Sequence, residues 1–121
     1  MHTAIRQRLI LAARKQQTVP YSEIAPLANL DMANPDERNQ LASLLGEISW
    51  YEHAKGRPLL SVLVVHKEGD MIPGEVFFKL ATELNHYNGK DEDKFFIEEM
   101  KQVFQCWRLQ IKWATGNRKR R

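Results

Sequence analysis

Cys106 is the single cysteine among 121 residues, which excludes an internal disulfide and a thiolate-rich metal site. The six glycines are scattered singly, and no G-x-G-x-x-G or G-x-x-x-x-G-K-[ST] pattern is present to cradle phosphates, so nucleotide hydrolysis has no support. HExxH, HxH and paired-carboxylate patterns are missing as well. The longest apolar run, Leu59 to Val65 with Ser61 inside it, is far below the roughly 18 residues that span a bilayer. The N-terminal residues carry no signal-peptide pattern. From these absences we expect a soluble protein of a reducing cytoplasm, with no cofactor, no metal and no membrane partner.

What the chain does hold is a globular composition, 43% hydrophobic and 27% charged. One domain over residues 1–116, followed by a basic tail over 117–121, fits this length. The net charge is +3, and Arg118, Lys119, Arg120 and Arg121 supply four positive charges, so the body is close to neutral. The pI near 9.1 is therefore weak evidence for a polyanionic partner.

Ile5, Leu9, Ala12 and Ala13 recur at helical spacing and predict a first helix over Thr3–Gln16. Thr18, Val19 and Pro20 break it, and Tyr21–Ala25 opens a short second helix with Pro26 in its early turns. Asn29–Asp36 reads as loop. From Glu37 to about Ala54, Leu41, Leu44, Leu45, Ile48 and Tyr51 mark a third helix, which Lys55-Gly56-Arg57-Pro58 ends. Leu59–Val65 reads as a strand, Lys67–Asp70 as a turn, and Met71–Ile72 as a short return strand. A helix follows Pro73-Gly74. After the loop Asn85–Lys90, a final helix uses Phe96, Met100, Val103, Phe104, Trp107 and Ile111 as its apolar stripe. Its acidic start and basic end both suit the helix dipole. Short helix, longer helix, strand, turn and helix follow one another as in a winged helix-turn-helix, so the expected fold class is mostly helical α+β with additional C-terminal helices.

These residues resemble a known family, the winged-helix DNA-binding domain of alkylguanine-DNA alkyltransferases and their non-catalytic alkyltransferase-like relatives. Tyr21-Ser22-Glu23-Ile24-Ala25 matches the family's Y-G-E-I-A apart from Ser for Gly, and Leu41 to Ile48 resembles its next helix. The stretch Pro58 to Lys67 resembles its P-I-x-I-x-P-C-H-R-V strand, with His66-Lys67 in place of His-Arg. The resemblance spans Val19 to about Ala81. Val65 stands where the family has its alkyl-accepting Cys, so no thiol is present there to act as nucleophile and alkyl transfer is excluded. The family's base-replacing Arg falls at Ala42, with Arg38 a turn away. Tyr21 matches the tyrosine that presses on a phosphate.

The resemblance implies a non-enzymatic accessory or regulatory module, bacterial or phage, that binds duplex DNA. Asn39, Gln40, Ser43 and Glu47 lie opposite the Leu stripe of the third helix, and Asn and Gln pair bidentately with adenine edges. Supporting phosphate contacts are expected from Arg6, Arg8, Arg14, Lys15, Arg57, Lys67 and the tail, on the third helix Arg38 and Lys55 attract phosphate, and His66 is counted among the nucleic-acid-binding residues. An alternative is a protein-binding adaptor, inhibitor or subunit. In it Phe95 and Trp113, off the stripe of the final helix, form with Trp50 and Tyr51 an exposed patch for a partner or a second copy, beside the acidic Asp91–Glu99 segment. A third reading builds a small metal-dependent nuclease or toxin around His66, beside Lys67, Glu68 and Asp70.

Overall fold

A computed structural model describes residues 1–66 and 73–119, with side chains described through residue 108. Among these residues the chain is a mostly helical α+β structure. Its helices are α1 (Thr3–Arg14), α2 (Tyr21–Ile24), α3 (Pro35–Ala54), α4 (Glu75–Glu83) and α5 (Glu92–Lys119). Two short strands, β1 (Val19–Pro20) and β2 (Val64–Val65), pair in parallel, Val19 opposite Val64 and Pro20 opposite Val65. The expected turn Lys67–Asp70 and return strand Met71–Ile72 lie outside the described residues. No helix among the described residues is long and apolar enough to cross a membrane.

Local chemistry accounts for most helix boundaries. The Asn34 side chain accepts hydrogen bonds from the Asp36 and Glu37 backbone N–H groups, and Pro35 occupies the first helical position of α3, so that helix begins two residues before the predicted Glu37. Pro26 sits in a 3₁₀ turn, Ala25–Ala28, that continues α2 and stops at Asn29 in the left-handed conformation. Helix α5 runs through Gly116 to Lys119, past the boundary expected between body and tail.

The Leu59–Val65 segment corrects the sequence reading. Only Val64–Val65 is strand, and Leu60–Leu63 is a 3₁₀ turn buried in the core. A short, fully buried apolar run has no periodicity to separate strand from helix. Its pairing partner is also short, because Pro20 has no N–H for the ladder and α2 starts at the next residue. The irregular segment is held by polar side chains instead. Glu99 accepts the Leu59 N–H at 2.8 Å, and the Ser49 hydroxyl accepts the Ser61 N–H at 3.1 Å while bonding the Ser61 hydroxyl at 2.6 Å.

Around this segment Ile5 and Leu9 of α1, Leu41, Leu45 and Ile48 of α3, Phe77, Phe78 and Ala81 of α4, and Phe96, Val103 and Trp107 of α5 form one core. Phe95 belongs to it, contrary to its expected place on an exposed patch. It is 8% exposed and stacks on Tyr87 at 4.7 Å and on Phe77 at 6.0 Å, with Phe78 edge-on. Helix α4 and the loop after it cover the side of α5 that a single apolar stripe leaves open.

Glu52 is buried completely on the inward face of α3. Its carboxylate accepts from Arg6 Nε at 3.0 Å and from Arg57 Nε at 2.6 Å. Gly56, at φ +74°, turns the chain back so that the Arg57 N–H bonds the Glu52 carbonyl, which brings the Arg57 side chain over the same residue. Removing one member of a buried ion pair leaves a charge uncompensated and costs about 3–5 kcal/mol. We expect Glu52→Gln to fall near the lower end, about 3 kcal/mol, because both arginines keep partial access to water. Urea denaturation checks this, and a midpoint equal to wild type would refute it.

Candidate functional site

Between α3 and α4 the described surface has a groove of about 870 Å³. Positions 39, 43, 47 and 50 recur along one face of α3, so Asn39, Ser43, Glu47 and Trp50 line one wall. Val76, Lys79, Leu80 and Glu83 repeat at helical spacing on α4 and line the other. Leu45 and Phe77 contribute apolar surface, and Gly46 leaves open space where a side chain would project. Trp50 and Val76 are 52% and 55% exposed, unusual for residues of this kind on the same groove.

Tyr21 also lines the groove. Its hydroxyl accepts the Gly74 N–H at 3.0 Å, at the residue capping α4, and its ring lies 4.8 Å from the His66 ring. A methyl at Gly74 would stand 3.2 Å from the Tyr21 hydroxyl and 3.4 Å from His66 Nε2, so the absence of a side chain permits this close approach. Burial pushes the Tyr21 phenol above its ordinary value, and the Gly74 N–H offsets this in part. At neutral pH the phenol stays protonated and keeps a proton to donate.

The sequence-predicted residues divide between this groove and other places. Tyr21, Asn39, Ser43 and Trp50 come together on it, and exposed His66 lies against Tyr21. Arg38 and Gln40 are exposed on α3 outside the lining. Arg57 is instead held by Glu52, whose hydrogen bond is the main cause of its raised pKa. Phe95, expected on a partner surface, is in the core. Lys67 and the Trp113 side chain lie outside what the structure describes. Among the described residues no group of three His, Cys, Asp or Glu could hold a metal, and Glu68 and Asp70 beside His66 are not described.

One polar chain escaped the sequence reading altogether. His86 Nδ1 lies 2.9 Å from Glu99, and His86 Nε2 lies 3.0 Å from His53 Nδ1. A carboxylate oxygen accepts, so His86 Nδ1 donates to Glu99, and between the two rings the donor is set by their tautomers. Glu99 is buried, and because it also takes the Leu59 N–H it locks the ends of α3 and α4 to α5. No Ser, Thr or Cys among the described residues hydrogen-bonds either histidine, so this arrangement holds no nucleophile. The partners are 33 and 13 residues apart, and no spacing in the sequence signals them.

No protein family, curated protein or solved structure with which the chain was compared matches it.

The Tyr21 arrangement has a testable consequence. The folded chain retains the phenolic proton above pH 10, where the unfolded chain releases it. The associated stability is complete below the unfolded value and is lost as pH rises through the folded one. Tyr21→Phe is expected to cost about 1 kcal/mol at pH 8, because the Gly74 N–H loses its acceptor. It should also flatten the decline in stability above pH 10, as read by urea denaturation across pH. An identical pH slope in both proteins would contradict this.

Proposed function

We propose that this chain is a non-enzymatic nucleic-acid-binding module of the winged-helix kind, acting in the cytoplasm and presenting α3 to duplex DNA. The observation that carries the reading is the convergence of Asn39, Ser43, Tyr21 and Trp50 on one open groove. An amide and hydroxyls supply hydrogen bonds to the edge of a base, and an exposed indole supplies a face for stacking. Lys79 adds a positive charge on the opposite wall. The order helix, short strand, short helix, long helix, strand and helix from α1 to α4 is compatible with a winged helix. Val65 is buried and has no thiol, so binding without alkyl transfer is the form of the resemblance that this chain supports.

A second reading has a specific observation in its favour. Glu47 and Glu83 stand on the groove beside its apolar residues. Acidic groups there repel phosphate and suit a basic amphipathic helix from a partner protein.

Fluorescence anisotropy separates the two. Labelled duplexes, one fully paired and one with a central mismatch, are titrated with the full chain at low and physiological salt. We expect salt-sensitive binding, tighter to the mismatched duplex because its base unstacks at lower cost. Trp50→Ala is expected to weaken it at least fivefold, as loss of one base–aromatic contact of about 1–3 kcal/mol requires. No binding at low salt, or binding indifferent to Trp50, overturns the DNA reading.

A further inference from the structure

Three cations surround one aromatic ring where α3 ends. Arg6 Cζ, Lys55 Nζ and Arg57 Cζ lie 5.1, 5.5 and 5.8 Å from the centre of the Tyr51 ring. Trp107 forms a second aromatic surface, 5.8 Å from Arg6 Cζ and 5.6 Å from Arg57 Cζ. Among the described residues the Glu52 carboxylate is the one acidic group paired with them, so three positive charges meet one negative charge there. That carboxylate takes one Nε–H from each guanidinium. The Arg57 guanidinium has the Tyr51 hydroxyl as a further side-chain hydrogen-bond partner.

Burial gives the cluster a direction. Glu52 is fully buried, the arginine side chains are 21% and 23% exposed, and Lys55 and Tyr51 are exposed. The carboxylate therefore anchors the guanidinium groups from inside, while donors remain toward solvent. No acid follows Glu99 in the sequence. From Met100 to Arg121 the sequence contains no Asp or Glu and carries seven Lys and Arg. The nearby Cys106 thiol is raised above its ordinary pKa, chiefly by burial, and stays uncharged at neutral pH.

We infer that Arg6, Lys55 and Arg57 form a binding site for a phosphate group, with Tyr51 as its aromatic floor. Guanidinium Nη groups held in place by a shared carboxylate give oriented, charge-assisted donors to the phosphate oxygens, and Lys55 adds a mobile ammonium. The group belongs either to a nucleic-acid backbone, which extends the function proposed above, or to a phosphorylated small molecule. The site itself requires only the phosphate chemistry.

Isothermal titration of the full chain with inorganic phosphate at low ionic strength tests the site without DNA. The expected result is saturable binding that Lys55→Gln weakens about fivefold and that Lys90→Gln, on the α4–α5 loop, leaves unchanged. Lys55 meets Glu52 only through its backbone N–H, which bonds the Glu52 carbonyl, so the side-chain variant keeps the buried pair, and circular dichroism verifies its fold. Absence of binding at 10 mM phosphate, about the weakest interaction such a cluster would give, or equal affinity in Lys55→Gln, overturns the site. Anisotropy with the same variant then assigns the source. A parallel loss of duplex affinity identifies a backbone phosphate. Lys55-dependent phosphate binding without duplex binding upholds the site for a phosphorylated small molecule and sinks the nucleic-acid reading alone.

Discussion

The carboxylate of Glu52, buried between two arginines, is the constraint around which the chain is arranged. Withdrawing an ionised carboxylate from water costs several kcal/mol, and only well-placed opposite charges and hydrogen bonds offset it. Arg6 comes from α1, Arg57 from the turn after α3, and both guanidinium groups lie over Trp107 of α5. Meeting the needs of one carboxylate thus fixes three elements against one another. With α3 oriented by its inward face, Asn39, Ser43 and Trp50 are left on the face that borders α4.

A second set of polar contacts holds what secondary structure does not. The 3₁₀ turn Leu60–Leu63 crosses the core with few ladder bonds, and its backbone is satisfied by Glu99 and Ser49. Glu99 passes its influence through His86 to His53 near the end of α3. On the other side, the Tyr21 hydroxyl holds Gly74 at the start of α4. The groove between α3 and α4 is therefore bounded by helices tied at several points, and its shape follows from those ties.

Trp50 and Tyr51 are consecutive, and a helix turns about 100° per residue, so they project to different sides of α3. One borders the groove and the other carries the three cations. On the proposed reading, an apolar recess with polar edges and a positive cluster adjoin at the C-terminal half of one helix. A base and a phosphate present the same pairing of an apolar face with a charged group.

Local chemistry was legible in the residues themselves. Helical spacing of Ile5, Leu9, Leu41, Leu45, Ile48, Val103 and Trp107 identified helices and core faces, and Gly56 marked where the third helix ends. Asn39, Ser43 and Trp50 could be singled out one by one, because each is a polar or aromatic side chain outside the Leu stripe of its helix, and Tyr21 through the family resemblance of Tyr21–Ala25. The sequence by itself could not bring them to one groove, bury Phe95, or break the Leu59–Val65 run into a turn and a two-residue strand. Nor could it pair Glu52 with Arg6, Glu99 with Leu59, or Tyr21 with Gly74, contacts that join residues 46, 40 and 53 positions apart. Periodicity and capping act over one or two turns of chain, whereas these pairings are chosen by the need to satisfy buried polar groups once the helices have met.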